Sequence, residues 1–369
     1  MGGPMALDLA RDEMFEVTAV DVDQGKLDKL RAKGDIDTRQ VDLSEAGHVT
    51  GLVGGFDMVV SAVPGFMGYA TLKAIIEAGR NVVDISFFSE DPFTLDEAAR
   101  AKGVVAIVDC GVAPGMSNLL VSHVDHWLDE IESVVIYVGG LPIERVWPYE
   151  YKAGFSPIDV IEEYTRPARF IQDGKLVTKD ALTDAEYIDF PGVGTLEAFN
   201  TDGLRTLMRT IKAPNMIEKT LRYPDHISKI AVLRDTGFFR QDAIDIDGVK
   251  IRPMDLTAKL LFPKWKLGEE EADLTVMRIF IKGQKDGDRL CIMYDLLDKY
   301  DPQTQIHSMA RATGYTATAA VRLVGRELYA TSGISPPEYI GRQPECVNFI
   351  LQELKARGID YKKTKMVNE

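Results

Sequence analysis

Three cysteines in 369 residues, at Cys110, Cys291 and Cys346, are too few, too far apart and odd in number for a disulfide framework. They read as reduced thiols, the pattern of a cytoplasmic protein. No stretch reaches the ~18 consecutive apolar residues of a membrane span, and no basic-then-apolar signal peptide is read at the start. Positive charge is in deficit: 43 Lys and Arg stand against 57 Asp and Glu, a formal net charge of −14. That balance argues against a nucleic-acid footprint and against binding to an anionic membrane, and its simplest meaning is solubility. Histidine is scarce as well, at five residues. His123 and His126 have no Cys or third His nearby to complete a ligand set, so no metal site is read. Cys110 lacks a sequence-local base and reads as a small buried packing residue rather than a nucleophile.

What is present is an ordinary globular composition, 45% hydrophobic and 27% charged, in a chain long enough for two domains. Up to about residue 113, short β-branched runs alternate with helical patterns. The strand candidates are 17–21, 36–42, 58–63, 82–85 and 104–108, with helices near 25–33, 68–78 and 94–102 between them. That alternation predicts a doubly wound, mostly parallel sheet covered by helices on both faces. The texture then changes. A strand over 133–138 is followed by hairpins at 243–251, turning on Asp247-Gly248, and at 275–294, turning within 283–288. Met277, Ile279 and Ile281 share one face of the second hairpin, as a half-buried antiparallel strand requires. A long helix over 308–328 is lined by Ala310, Ala312, Ala317, Ala319 and Ala320, a loop follows over 333–341, and a last helix spans 344–357. The expected organisation is α/β: a Rossmann domain over 1–115, an inserted α+β domain with a mainly antiparallel sheet over 116–305, and C-terminal helices over 306–369 returning to the Rossmann domain.

The beginning of the chain resembles the middle of a dinucleotide-binding unit. Gly2-Gly3-Pro4 opens a helix over 5–11, and the run Val17-Thr18-Ala19-Val20 ends in Asp21. In a Rossmann βαβ unit the last fingerprint glycine packs helix against sheet, and an acid about 20 residues later bonds the adenine ribose hydroxyls. Gly2 and Asp21 have that spacing. The first strand and the first two glycines of the fingerprint would precede Met1, so we expect a start assigned within the motif. A chain truly lacking that strand is expected to bind NAD poorly and to fold marginally.

Cofactor contacts are expected where parallel strands end: Asp21, Asp42, Ala62-Val63-Pro64, Asp84 with Ser86, and Gly111-Val112 with Pro114. Small residues at 61–63 let a dinucleotide lie against the backbone. The acid Asp21 repels a 2′-phosphate and favours NAD over NADP.

The run Asp109-Cys110-Gly111-Val112-Ala113-Pro114-Gly115-Met116-Ser117-Asn118 resembles the signature of the saccharopine dehydrogenase and lysine 6-dehydrogenase superfamily. Tyr137–Pro142, Tyr149–Tyr151 leading to Phe155-Ser156-Pro157, Leu196–Gly203, Lys219–Tyr223, Ser308–Tyr315 and Gly333–Glu338 are similar to further family segments, in the family's order. Ala113 and Val138 stand where saccharopine reductases tend to carry Asp and Cys, which makes the chain look like the lysine 6-dehydrogenase branch. The resemblance implies NAD-dependent oxidation of the lysine ε-carbon to a semialdehyde that cyclises to a piperideine carboxylate, and it implies a homodimer. Such a substrate needs a base for its ε-ammonium and a cation for its α-carboxylate. Arg222 is the candidate carboxylate clamp, with Tyr151 and Tyr223 as pocket walls. Glu150 and Glu197 are candidates to hold the ammonium, and His226 and Asp84 to accept a proton. Two other readings stand beside this one. Saccharopine oxidation is disfavoured by Ala113 and Val138, and a non-catalytic binding or scaffold relative is favoured by the missing strand.

Overall fold

Strands buried on both faces need helical crossovers, and the first third of the chain supplies them in regular alternation. The computed structural model describes residues 1–155 and 157–367. The chain runs through α1 (Gly2–Leu9), β1 (Thr18–Asp21), α2 (Gln24–Arg31), β2 (Asp37–Gln40), α3 (Ala46–Val53), β3 (Met58–Ser61), α4 (Gly65–Glu77), β4 (Asn81–Asp84), α5 (Asp96–Ala101), β5 (Val105–Ile107) and α6 (Met116–Trp127). It continues through β6 (Glu130–Pro142), α7 (Pro157–Thr165), β7 (Ala168–Gln172), β8 (Lys175–Lys179), β9 (Glu186–Phe190), β10 (Gly194–Asn200), α8 (Leu207–Thr210), β11 (Asn215–Arg222) and α9 (His226–Thr236). The remainder is β12 (Ile244–Ile246), β13 (Val249–Ile251), α10 (Pro253–Trp265), β14 (Asp273–Lys285), β15 (Asp288–Lys299), α11 (Ser308–Gly325), β16 (Gly333–Ser335), α12 (Pro337–Gly341), α13 (Pro344–Ala356) and β17 (Lys362–Val367).

Two units result. One combines Met1–His123 with Ala310–Asp360; the other combines Val124–Met309 with Tyr361 onward. In the first, every strand pairing is parallel. One sheet has the order β16-β5-β4-β3, and β1 pairs β2 in a separate two-stranded sheet. β1 and β3 are therefore both sheet edges, and their residues are mostly half-buried. The core of this unit sets Leu72, Ile75 and Ile76 of α4 against Val82, Ala106 and Ile334. α11 closes over α1: Thr318, Arg322 and Arg357 all bond the buried Asp8 carboxylate, at 2.6, 2.8 and 2.7 Å. Burial raises the Asp8 pKa, but the bonds from Arg357 and Thr318 and the two arginine charges outweigh it and hold the group below its ordinary value.

Three elements differ from expectation here. α1 begins at Gly2 and ends at Leu9, so Pro4 lies within the first turn, where its missing N–H breaks no bond. α3 was not foreseen because Gly47 and Gly51 lower its helix propensity; Val49 and Val53, packed on the core, hold it. The expected loop over 333–341 holds β16 and α12, since three residues are too short to display a period but pair with β5 throughout.

The second unit is built on a nine-stranded sheet in the order β17-β15-β14-β6-β11-β10-β9, with β7 against β11 and β8 against β7. Among the described residues, only its β6–β11 pairing is parallel. Both hairpins turn on Asp-Gly pairs with positive φ at each position, Asp247 and Gly248 (54° and 87°) and Asp286 and Gly287 (53° and 89°), as a two-residue turn matched to strand twist requires. β14 is buried on both faces over its first half, wider than the single-face pattern expected. β17 pairs β15, so the last residues do not return to the first unit with α13. One core cluster joins Leu141, Leu196, Leu221 and Val276 of the sheet, and a second gathers Tyr151, Tyr164, Phe199 and Trp265 under α7, α9 and α10. Among the described residues no helix is long and apolar enough to cross a membrane. Nor does any group of three or more His, Cys, Asp or Glu stand ready to hold a metal ion.

Candidate active site

Parallel strands bring their carboxyl ends to one edge, and in a doubly wound sheet ligands bind outside that edge. The β3–β4 register pairs Ser61 with Asp84, which puts both side chains on one face of the sheet. Both are buried. Asp84 Oδ1 accepts hydrogen bonds from the Ser86 amide (3.3 Å) and the Ser86 hydroxyl. Asp84 Oδ2 and Ser61 Oγ make no hydrogen bond, although both are buried. Burial pushes the Asp84 carboxyl up to about 7, against the opposing pull of Ser86 and of the nearby Ser61 hydroxyl.

Beyond β5 the chain turns through Asp109, whose φ of 52° is left-handed. Gly111 N–H bonds Pro114 O (3.2 Å), and Met116 and Ser117 N–H bond Gly111 O and Val112 O, so this loop leads directly into α6. A Cβ at Gly115 (φ 138°) would run into the Gly111 backbone, so only glycine closes the turn. Burial and the carboxyls of Asp84 and Asp109 drive the Cys110 thiol up to about 12, which leaves it a protonated packing group.

The other expected cofactor positions are more open. Asp21 ends β1 half-exposed and accepts the Asp23 amide (2.9 Å). Asp42 lies beyond β2; the Ser44 amide and hydroxyl hold its carboxyl below the ordinary range. Ala62 is exposed, Val63 and Pro64 are half-buried, and Pro64 caps α4, so backbone between β3 and α4 is accessible. Gly2 needs correction in one respect. A Cβ there meets nothing within 4 Å, and at Gly3 only Leu30 Cδ1 at 3.8 Å, so neither glycine is required for helix–sheet packing. The open backbone of 62–64, the Asp21 carboxylate and the unbonded polar atoms of Ser61 and Asp84 fit a dinucleotide ligand.

In the second unit, β11 ends at Arg222, which is 2% exposed, and carries its guanidinium under α7 and α9. Nε donates to Tyr164 Oη (3.1 Å), Nη1 to Leu221 O (2.9 Å), and Nη2 to Tyr151 Oη (3.3 Å) and to the Glu163 carboxylate. The guanidinium carbon also lies 4.1 Å from the Tyr151 ring centroid. Every guanidinium nitrogen is therefore engaged, and Arg222 offers no open fork to a carboxylate ligand. His226 opens α9, buried instead of exposed in a turn. A carbonyl can only accept, so Nδ1–H donates to Tyr149 O (2.8 Å) and Nε2 accepts from Tyr164 Oη (2.9 Å). Burial, with the Arg222 charge beside it, lowers its pKa to about 3. The ring is neutral with both nitrogens committed, so it is a positioning group and not a free proton acceptor.

Tyr223 is buried and donates to Pro142 O (2.9 Å). Tyr151 is buried in the aromatic core. Glu150 ion-pairs with Arg145 at 2.5 Å. Glu197 accepts the Asp225 amide (3.1 Å), and partial burial raises its pKa. Sequence reading did not single out Glu163, Tyr164, Trp265, Arg145 or Glu218. Burial pushes Glu218 up to about 8, against a hydroxyl bond from Thr201 and an amide bond from Gly203. The only signal for Glu218 is its position in a strand that is buried almost throughout. Ser156, part of one resembling segment, lies outside the described residues.

Two family models tile the chain: the saccharopine dehydrogenase NADP binding domain over 1–107 and the saccharopine dehydrogenase C-terminal domain over 111–359. Curated relatives include mitochondrial alpha-aminoadipic semialdehyde synthase of Bos taurus, 26% identical over 64% of this chain and 27% of the relative. The NADP(+), L-glutamate-forming saccharopine dehydrogenase of Schizosaccharomyces pombe is 28% identical over 55% of this chain and 48% of its own. The chain thus spans between about a quarter and a half of these relatives. In structure it is similar to the L-Glu-forming saccharopine dehydrogenase of Saccharomyces cerevisiae, with a TM-score of 0.81 and 19% identity over 99% of this chain and 97% of the other. It is also similar to homospermidine synthase of Legionella pneumophila in complex with NAD, at TM-score 0.68 and 11% identity over 99% and 89%. At these identities the structural likeness establishes the fold alone.

Proposed function

The chain belongs to the saccharopine dehydrogenase family, and from that premise we propose that it is an oxidoreductase that oxidises the ε-carbon of L-lysine with NAD. The observation that carries this reading is the free Oδ2 of Asp84, a buried carboxyl at the carboxyl end of β4 with its other oxygen already satisfied. An alkylammonium must lose a proton before its carbon can give up hydride, because a cation is a poor hydride donor. A carboxyl that titrates near neutrality has the acid strength for that transfer. When bound, the nicotinamide dinucleotide supplies the hydride acceptor. Asp84 takes the ε-ammonium proton and Ser86 holds the carboxyl in place. Loss of that proton and of a hydride from Cε leaves an imine; water adds to its carbon, ammonia leaves, and the aldehyde condenses with the α-amino group with release of water. NAD is favoured over NADP because the Asp21 carboxylate repels a 2′-phosphate.

Saccharopine is the second substrate, favoured by the names of two fungal relatives and opposed by Ala113 and Val138. The test is product analysis by mass spectrometry after incubation with L-lysine or with saccharopine, each with NAD and with NADP. A piperideine carboxylate from lysine supports the first reading. Glutamate and a semialdehyde from saccharopine, with lysine inert, replace it by the second.

A further inference from the structure

Arg222 is closed to ligands, yet the second unit carries another guanidinium whose surroundings are the reverse. Arg145 lies in the loop between β6 and α7, with its side chain 49% exposed. Its Nε donates to Glu150 Oε2 at 2.5 Å, and its guanidinium carbon lies 4.6 Å from the centroid of the Tyr223 ring. Tyr223 is itself fixed from below by its bond to Pro142 O. Glu150 is set at φ 51°, a left-handed backbone that turns it back toward the loop. The ring contact and the Nε tether together restrain the guanidinium. Among the described residues neither Nη makes a bond. This is a pre-organised two-pronged donor with its fork open, the geometry that matches a carboxylate. A second cation, Lys229 on α9, rests 5.4 Å from the ring centroid of Trp147 in the same loop, and Trp147 is 72% exposed.

We propose that Arg145, not Arg222, is the residue that receives a carboxylate ligand in this unit, with Glu150 and Tyr223 as its positioning residues. The ligand class is a free amino-acid carboxylate, which Arg145 receives within this unit. Arg222, neutralised by Glu163, then belongs to the framework that shapes the neighbouring aromatic core.

The probe is L-norleucine, which keeps the carboxylate and α-amino group of lysine but ends in a methyl and cannot react. Binding is measured by titration calorimetry on the full chain, for wild type, Arg145→Ala, Arg145→Lys and Glu150→Gln, with 1-aminopentane as the decarboxylated control. The expected result is saturable norleucine binding that weakens about tenfold or more in Arg145→Ala, the loss of a charge-assisted bidentate contact. Arg145→Lys recovers part of it, Glu150→Gln falls between, and 1-aminopentane is indifferent to all three substitutions. Wild type that does not bind norleucine, or Arg145→Ala that binds it as well as wild type, overturns the proposal. Turnover of lysine and saccharopine is followed on the same preparations. Arg145-dependent binding with both substrates inert sinks the function and leaves the carboxylate site standing; lysine turnover with norleucine binding unchanged in Arg145→Ala does the opposite.

Discussion

Replacing Asp84 by Asn should make the protein more stable at alkaline pH while removing the proposed base. In the fold this carboxyl is wholly buried and titrates at about 7; in the unfolded chain it returns to 3.8. The folded pKa is raised, so between those two values the unfolded state sheds a proton that the folded state keeps. Stability therefore falls as pH rises through that window and levels off above about 7. At ~1.36 kcal/mol for each pH unit between the two values, the full loss is about 4 kcal/mol, of which about 1 kcal/mol falls between pH 6 and pH 8.5. Asn is nearly isosteric and still accepts from Ser86, so the variant should lack this slope. The gain at pH 8.5 should be about 2–4 kcal/mol after allowing for one weakened hydrogen bond. Urea unfolding of wild type and Asp84→Asn at pH 5, 6, 7 and 8.5 reads the difference directly. Amine oxidation at pH 8 should fall by about 10²–10⁴-fold. Parallel stability profiles for the two proteins across pH 5–8.5 would refute the argument, because they would mean that Asp84 ionises in the fold as it does in water.

Two further outcomes follow from the same geometry. Arg222→Met should destabilise by about 2–3 kcal/mol, because it leaves the largely buried Glu163 carboxylate without its cation, whereas Arg222→Met combined with Glu163→Leu should cost clearly less than the single change; equal or additive losses in denaturant titrations would show that the pair is not coupled. Asp21→Ser should shift the ratio of kcat/KM for NAD over NADP by about tenfold toward NADP, the effect of one lost charge-assisted hydrogen bond and its repulsion; an unchanged ratio would remove Asp21 from cofactor selection.

Much of the fold is legible in the chain because its signals are local. The β-branched runs ending at Asp21, Ser61 and Asp84 and the helices between them mark parallel strands, and Asp247-Gly248 marks a turn that needs positive φ twice. The segments that miss are those stabilised from a distance. α3 carries two glycines and is held by Val49 and Val53 in the core; β16 is three residues that make sense only beside β5; β17 is a lysine-rich strand whose partner lies some 70 residues earlier.

The candidate site divides along the same line. The strand pattern placed Asp84 at a strand end, and the resemblance of whole segments pointed to the family and, through the substrate it implies, to Tyr151, Arg222, Tyr223 and His226 as chemistry-bearing. Which of these groups is free to act is a matter of burial and partners, and neither can be read from a one-dimensional pattern. Arg222 finds Glu163, Tyr151 and Tyr164 on two other elements; His226 finds Tyr149 and Tyr164; and Arg145, in an unremarked loop, keeps its fork open. Sequence determines where strands end and which functional groups each segment carries, because backbone preference and hydrophobic period are properties of neighbours along the chain. Tertiary structure decides which of those groups are desolvated, neutralised or left unbonded, because electrostatic environment depends on atoms brought together from distant segments.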